Sequence, residues 1–506
     1  MWNRSGTALA GLTLAALLVR TYRLDGPSFW VDEGWSASLA QTPSFADWTR
    51  DVHPPLYYAL LSVWGVWSRG DWWLRFFSVL AGVATIPVVY DLGRRLFGRA
   101  TGLWAAALLS VLAIHVKYSQ EARMYALVVL LFACALWGLA VGAREGRPVG
   151  WATYTAAATL LLYAHGLAPV YVVTLAVLMP LFARDLRDRT VWQRWLVSNG
   201  VAVALFALWL PVYAARAQDV RSGFWTSAAR PALPLVSALS DFSVHWIPSP
   251  TAMLRSHAGV DPGGILGAWV WTAPVVLVLA AAIVGADRDR RWTVSALMTA
   301  YALPMVLLFV LSLAVAPVFL LRALLPAVVP AVLVLGSAAD TLSSRRLRNH
   351  LGLGVILAIF ALGTAYYFRH DTKEQWREAS LYLQENARPA DILLFASSPR
   401  GPFLIGRYDS RGRLSRNRRL MVEDLVAPCG NAPVRCLAEG LNAEAAGRTV
   451  WVIHRFWPTI ESPEIRTWLA QHLARQSARE FQGVLVEQAT LSPSLPPPEL
   501  LPNRPG

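Results

Sequence analysis

The stretch "LRFFSVLAGVATIPVVYDLGRRLFG" at residues 74–98 decides the fold class, because it joins a long apolar run to an arginine-rich turn. Such a run, at about 20 residues, lets an α-helix cross a hydrocarbon core about 30 Å thick. Comparable runs recur along the chain and predict about eleven transmembrane helices. We expect them near residues 5–22, 75–93, 101–115, 123–142, 151–164, 166–183, 196–214, 263–285, 293–313, 323–340 and 350–368.

The composition supports a polytopic α-helical membrane protein and excludes a soluble one. Of the 506 residues, 55% are apolar and only 15% are charged, whereas a soluble protein of this length needs more charge on its surface. The net charge of +14 could suggest nucleic-acid binding. However, the basic residues lie in short loops between apolar runs and not on one arm, so we predict membrane lipids as partners and no nucleic acid.

Arginine-rich loops indicate the topology. The positive-inside rule makes their side of the membrane cytoplasmic, which leaves the N-terminus inside and the C-terminus outside. Arg20 and Arg23 follow the first helix on the outer side and contradict this rule. The loops in question are residues 93–99, 143–147, 184–195, 287–291 and 343–350.

For two apolar segments, the sequence must be examined further to decide whether they span the membrane. We interpret residues 5–22 as a retained first helix, because no small-residue cleavage site follows the apolar run. Residues 54–69 are short and rich in aromatic side chains, which favours an interfacial helix on the outer surface. Counting this segment as a span would place the arginine loop at 93–99 outside.

The predicted domains follow from these spans. Residues 1–368 form the transmembrane domain, and its first extracytoplasmic loop, at 23–74, carries juxtamembrane helices. A second outside loop lies at about 215–262. Residues 369–490 are predicted to form an extracytoplasmic α/β domain, because a helical pattern at 373–387 precedes strand-like runs at 391–397 and 449–456. The proline-rich residues 491–506 are predicted to be disordered.

The positions of the three cysteines are informative about the redox environment of the predicted outside domain. Cys429 and Cys436 lie close together in the outside domain, where an oxidising environment would allow a disulfide, although two free thiols remain an alternative. Cys134 lies within a predicted span and is interpreted as packing. No P-loop, no zinc-protease motif and no dinucleotide fingerprint occurs in a suitable context. Nucleotide chemistry therefore has no visible site.

Ionisable residues gather at the outside ends of the predicted helices. A carboxylate there could act as a general base toward a hydroxyl group, and cations could stabilise a departing phosphate. Glu121 could hold a metal or orient a base, and His53 could bind phosphate or metal, so a divalent metal stays open. The candidate residues are Asp32, Glu33, His53, Pro54, Lys117, Glu121, Arg123, Tyr125, His165 and Arg322.

Each candidate also has a purely structural interpretation. Asp32 and Glu33 could cap a helix, and the His-Pro-Pro element could be only a turn and a helix start. Glu121 and Arg123 are two residues apart and would not face each other on a helix, so they could flank the interface. Arg322 could be an arginine that snorkels from a helix end, and His165 could be an ordinary histidine at a helix end.

Four blocks of sequence resemble the first part of the GT-C-fold glycosyltransferases. The blocks are "SFWVDEGWSA", "HPPLYYALLSVW", the stretch at 74–98 and "YSQEARMYAL", and they occur in that order. The chain is specifically similar to the bacterial relatives of the protein O-mannosyltransferases and of the lipid A aminoarabinose transferase, the family 39-like group. The resemblance covers residues 20–130.

The resemblance implies a function in a bacterial plasma (inner) membrane. The donor would be a polyprenyl-phosphate-linked sugar, and the acceptor a hydroxyl or amine on a lipid, glycan or protein at the extracytoplasmic face. Asp32 would be the catalytic base of an inverting displacement, with Glu33 beside it. Glu121, in the outside turn at residues 114–125, maps to the acid of the family's second outside loop. Arg322 maps to a ligand of the lipid phosphate.

Other classes of function make different predictions. A lipid or glycan transporter or flippase requires charges at mid-membrane depth and an internal repeat, and the sequence shows neither. A sensor or assembly protein would leave the first-loop acids dispensable. A lipid-linked glycan ligase or polymerase is a related enzyme class, but the early position of the acidic pair and the His-Pro-Pro element disfavours it.

Overall fold

The computed structural model describes residues 4–41, 44–183, 185–223, 288–315, 318–319, 321–340, 346–370, 373–396, 400–429, 433–445, 447–455 and 463–491. The chain divides into two compact units. The first comprises Met1–Leu24 and Leu39–Thr372, and the second comprises Asp25–Ser38 and Lys373–Gly506. The second unit thus includes a short piece of the first loop in addition to the C-terminal part.

The first unit is helical. Its α-helices are Arg4–Thr21, Phe45–Trp48, Leu56–Trp64, Asp71–Leu96, Arg99–Ser110, Ala113–Ser119, Tyr125–Glu145, Pro148–Ala164, Ala168–Phe182, Arg189–Ala207, Leu210–Gly223, Arg288–Ala314, Val328–Ser337 and Arg346–Arg369. Short 3₁₀ segments at Leu321–Ala327 and Ala338–Asp340 flank one of them. Every predicted span except 263–285, which lies outside the described residues, coincides with one helix or with two or three consecutive helical segments.

Five of the described helices are long and apolar enough to cross a membrane, or up to seven if each bent pair counts as one span. One bent pair, Arg99–Ser110 with Ala113–Ser119, turns by 61°. The other, Arg189–Ala207 with Leu210–Arg221, turns by 72°. The protein is therefore a multi-pass membrane protein, while the count of about eleven spans stays a prediction.

The arginine-rich loops meet at one end of the helical unit. Arg95 Nη1 lies 2.8 Å from a Glu145 carboxylate oxygen, which joins two of these loops. Arg144 donates to Thr293 Oγ1 at 3.0 Å, and Arg290 donates to the Asp340 carbonyl at 2.6 Å. The loops that the sequence assigns to one face therefore lie together, and the cytoplasmic identity of that face stays a prediction.

Arg20, which contradicts the positive-inside rule, is a fully buried side chain. Its guanidinium donates to the carbonyl oxygens of Leu109 at 3.1 Å and Ser110 at 2.8 Å. It also lies 2.7 Å from His115 Nδ1. These carbonyls end the helix before the 61° bend and have no intrahelical donor. Arg20 therefore stabilises the bend, and its charge is no guide to topology.

Replacing Arg20 by methionine is expected to lower the free energy of unfolding by about 3 kcal/mol, since each buried carbonyl left without a donor costs about 1–3 kcal/mol. Thermal unfolding of the detergent-solubilised protein measures this loss. Arg23→Met is the control, because Arg23 is exposed and donates to one carbonyl, that of Phe368. Equal melting temperatures for the two variants would contradict the role of Arg20.

The juxtamembrane segment contains the nine-residue helix Leu56–Trp64. This helix rises only about 13.5 Å, too little to cross a bilayer. Trp64 stacks on Trp73 with ring centroids 4.4 Å apart. Each indole N–H of this pair donates to the other residue's carbonyl, at 2.8 Å and 2.9 Å. The pair ties this helix to the start of the helix Asp71–Leu96.

The strands of the second unit are β1 Ile392–Phe395, β2 Arg418–Met421, β3 Thr449–Arg455, β4 Leu473–Phe481 and β5 Val484–Leu491. They form a five-stranded mixed sheet in the order β2-β1-β3-β5-β4. The central strands β1 and β3 are parallel, and β5 pairs antiparallel with both β3 and β4. The helical pattern and both strands predicted from the sequence are confirmed, as Trp376–Asn386, β1 and β3.

Alternate residues of the central strands face two helical layers. Leu394 and Val452 belong to a buried cluster with Leu437 and Trp468, which come from the helices Pro433–Ala445 and Pro463–His472. Trp451 instead contacts Tyr382 of the helix Trp376–Asn386, with ring centroids 6.0 Å apart. The other helical segments that the structure describes in this unit are Gly401–Arg407, Arg413–Arg416, Val422–Val426, Ala427–Cys429 and the larger part of the helix Val31–Gln41, which continues into the first unit from Leu39.

A disulfide joins Cys429 and Cys436, whose Cα atoms are 5.8 Å apart. It links the 3₁₀ turn Ala427–Cys429 to the first turn of the helix Pro433–Ala445. Residue 491, where the predicted disordered tail begins, is the last residue of β5, and the rest of that tail lies outside the described residues.

Candidate active site

The two adjacent acids of the first loop have different environments. Both lie in the first turn of the helix Val31–Gln41, where the helix dipole favours negative charge. Consecutive helical residues point in directions about 100° apart. Accordingly, Asp32 is half-buried, whereas the Glu33 side chain is fully buried and its Oε2 lies 3.0 Å from Lys373 Nζ. Both acids belong to the second unit.

The His-Pro-Pro element is held by an aspartate turn in the first unit. Asp51 Oδ1 accepts hydrogen bonds from the His53 backbone N–H at 2.7 Å and from the Tyr58 hydroxyl at 3.0 Å. Pro54 is buried, and Pro55 caps the helix Leu56–Trp64. The turn orients the His53 ring, whose centroid is 4.5 Å from that of His165.

Glu121 and Arg123 lie in the non-helical turn between the helices Ala113–Ser119 and Tyr125–Glu145. Both are buried, with exposures of 2% and 4%. The Arg123 guanidinium lies 5.9 Å from the centre of the Tyr125 ring and 3.4 Å from the Tyr58 hydroxyl. The turn thus brings Arg123 to the residues that orient His53, which the helical spacing argument could not predict.

Four predicted residues line one cavity of about 170 Å³ in the first unit: His53, Tyr125, His165 and Arg322. Apolar side chains line much of the rest: Val52, Leu167, Val220, Leu311, Val315 and Val318. The four residues come from the first loop, the helix Tyr125–Glu145, the turn before Ala168–Phe182 and the 3₁₀ segment Leu321–Ala327. The cavity therefore joins four separate parts of the chain.

Two further arginines, Arg216 and Arg221, also line this cavity, and the sequence prediction missed them. Their place at the start of the second outside loop was the available signal. Arg216 pairs with Asp219 at 2.6 Å. Among the described residues that line the cavity, three are arginines and two are histidines.

Six of the ten predicted residues are not among those that line the cavity: Asp32, Glu33, Pro54, Lys117, Glu121 and Arg123. Lys117 is half-buried, with its ammonium 5.4 Å from the centre of the Tyr118 ring. Among the residues that the structure describes, no three His, Cys, Asp or Glu side chains are grouped closely enough to hold a metal ion. A metal at Glu121 or His53 stays a prediction.

Both cavity histidines are neutral near pH 7. Burial, with the nearby charges of Arg123 and Arg322, lowers the pKa of His165 to about 3. Burial, followed by the His165 ring and the same two arginines, also lowers the pKa of His53 well below its usual range. A neutral imidazole can donate one hydrogen bond and accept another. The positive charge of the cavity therefore comes from arginine.

Replacing His165 by glutamine is expected to flatten the loss of stability in acid. The unfolded side chain has a pKa of about 6.5, so below that pH the unfolded state binds a proton that the folded state excludes. The contribution of the neutral ring is complete above about pH 6.5 and falls by about 1.4 kcal/mol per pH unit as the pH drops toward the folded pKa of about 3. Melting temperatures between about pH 7 and pH 4 test this, and equal slopes for variant and parent would contradict it.

Comparisons with known proteins agree with the observed architecture. Residues 52–213 match the family model for dolichyl-phosphate-mannose-protein mannosyltransferase, and the search of curated proteins found no match. Archaeal oligosaccharyltransferase AglB from Archaeoglobus fulgidus, in complex with an inhibitory peptide and a dolichol-phosphate, is 14% identical, with a TM-score of 0.53 over 96% of this chain and 74% of that one. ArnT from Cupriavidus metallidurans bound to undecaprenyl phosphate is 16% identical, with a TM-score of 0.49 over 96% and 98%. The predicted resemblance is confirmed, and the chain is a GT-C-fold protein whose residues 52–213 match the mannosyltransferase family model.

Proposed function

We propose that the protein is a membrane glycosyltransferase that moves a sugar from a polyprenyl-phosphate donor to an acceptor hydroxyl or amine on the extracytoplasmic face. The observation that carries this proposal is the cavity in the first unit, which combines three arginines with apolar walls. A lipid phosphate has the matching chemistry, an anionic head on an apolar chain.

The charges of the cavity suit a phosphate that gains charge during the reaction. Arginine forms charge-assisted hydrogen bonds that can bind two phosphate oxygens at once. The neutral His53 and His165 can add hydrogen bonds without adding charge. As the bond between the anomeric carbon and the phosphate oxygen breaks, the electron pair goes to the phosphate. Arg322, and Lys117 on the helix Ala113–Ser119, are proposed to stabilise that charge.

Asp32 is proposed as the general base that removes the acceptor proton. Its oxygen would take the proton while the acceptor attacks the anomeric carbon from the face opposite the phosphate, which inverts that centre. The atoms balance, because the acceptor loses a proton, the sugar changes partner and polyprenyl phosphate leaves. Glu121 and Arg123 are proposed to orient the donor from the turn between the helices Ala113–Ser119 and Tyr125–Glu145. The complex of AglB with a dolichol-phosphate supports this class of donor.

Mass spectrometry of glycans, lipids and surface proteins from cells with and without the protein tests this function. We expect one class of molecule to lose the mass of one sugar residue when the protein is absent. The purified protein should also release polyprenyl phosphate from a polyprenyl-phosphate sugar when an extract containing the acceptor is added. Identical mass profiles, with no release of polyprenyl phosphate, would contradict transfer.

A further inference from the structure

We propose that Lys373 and Glu374 act as positioning residues that hold the first turn of the helix Val31–Gln41, and with it Asp32. We call these two residues the clamp. The inference rests on the proposed function for its catalytic consequence, because Asp32 is the proposed base. The inference gives the second unit a role in the reaction, and it assigns to Glu33 the role of a positioning residue.

The ion pair between Lys373 and Glu33 is the first part of the clamp. Nζ and Oε2 are 3.0 Å apart, and the side chains are only 4% and 0% exposed. Lys373 is one of two lysines in the whole chain. Burying two charges costs free energy unless the geometry is well satisfied. Such a pair therefore specifies one position of the helix relative to its unit.

Glu374 forms the second part of the clamp, at the helix N-terminus. Its Oε2 accepts a hydrogen bond from the Val31 backbone N–H at 3.0 Å, one of the amides that lack an intrahelical partner. Its Oε1 lies 2.6 Å from Arg455 Nε, and Arg455 ends β3. A carboxylate at this position also interacts favourably with the helix dipole. The helix that carries Asp32 is thereby connected to the central sheet.

The residues on both sides of Asp32 also make hydrogen bonds and packing contacts within the second unit. The Phe29 backbone N–H donates to the Tyr408 hydroxyl at 2.6 Å, and the Arg400 guanidinium lies 3.8 Å from the centre of the Trp35 ring. A side chain at Gly34 would force Leu404 to shift, because its Cβ would lie 2.8 Å from Leu404 Cδ2. Residues 29–35 are thus packed against the part of the second unit that follows Lys373. Since a misplacement of about 1 Å can cost about 100-fold in rate, this packing bears directly on a general base.

Lys373→Met tests the clamp in the full-length protein. We expect faster hydrogen exchange of the amides at 31–38 and a kcat lower by about 100-fold, with the KM for the donor unchanged because the cavity residues are intact. Lys373→Arg, which keeps the cation, should restore most of kcat. Arg435→Met is the matched control, since it breaks an exposed ion pair of the same unit. Exchange at 31–38 equal to that of the parent would overturn the proposal.

A second variant keeps the test decisive if Lys373→Met does not fold. Glu33→Gln combined with Lys373→Met removes both charges of this buried pair, so neither partner is left as a charge facing the other's replacement. We expect this protein to fold, with faster exchange at 31–38 and a reduced kcat, whereas parental exchange and kcat would overturn the clamp. Asp32→Asn, measured in parallel, separates the two proposals. Full transfer by that variant would refute the proposed base, and the exchange data alone would then decide on the clamp.

Discussion

Replacing Asp32 by asparagine is expected to abolish sugar transfer while the protein still folds. Asparagine has nearly the same shape but cannot accept the acceptor proton, and a general base contributes about 10²- to 10⁴-fold to a rate. Asp32 is only half-buried, so the change leaves no cavity and no isolated buried charge. The initial rate of transfer from a polyprenyl-phosphate sugar to the acceptor, with purified protein, measures the effect.

Asp25→Asn is the matched control for this experiment. Asp25 is exposed, belongs to the same segment of the second unit, and undergoes the same chemical change. Its variant should transfer sugar at the parental rate. Parental activity of Asp32→Asn would refute the proposed base, and an equal loss in both variants would show that the effect is not specific to position 32.

Replacing Arg322 by alanine is expected to weaken donor binding by about 10- to 100-fold. The guanidinium lines the cavity with His53 and His165, and a hydrogen bond to a charged group contributes about 1.5–3 kcal/mol. Binding of polyprenyl phosphate to the purified protein measures the dissociation constant directly, without a need for the acceptor.

Arg348→Ala serves as the control for the loss of an arginine. Arg348 is exposed on the helix Arg346–Arg369, in a loop region predicted to lie on the cytoplasmic face. The Arg348→Ala variant should bind polyprenyl phosphate with the same affinity as the parent. Equal affinities of the parent and Arg322→Ala would contradict the assignment of the cavity to the lipid phosphate.

Apolar periodicity and loop charge predict the helices that the structure describes in the first unit and a group of residues at one end of them. Those signals are local or statistical, because a span is defined by its own side chains and a loop by its arginines. His53, His165 and Arg322 are distant in sequence, yet helix ends on one face must be near one another. The meeting of these three residues in one cavity follows from that constraint.

Other features could not be predicted because they depend on contacts between distant parts of the chain. In the sequence, Arg20 resembles any loop arginine, and its burial is explained by contacts with distant residues such as the carbonyls at 109 and 110. Glu33 is adjacent to Asp32, and nothing local separates their roles. The partner that separates them, Lys373, lies 340 residues away.

The composition of the second unit from two stretches of chain has a consequence for how such proteins can be recombined. Lys373 and Glu33 are 340 residues apart in the sequence, although both belong to the second unit. A chimera that exchanges only the C-terminal part would bring a foreign surface to residues 25–38 and would leave Glu33 buried opposite an unmatched neighbour. Working hybrids would need both stretches from the same parent, so these two stretches should be inherited as a pair.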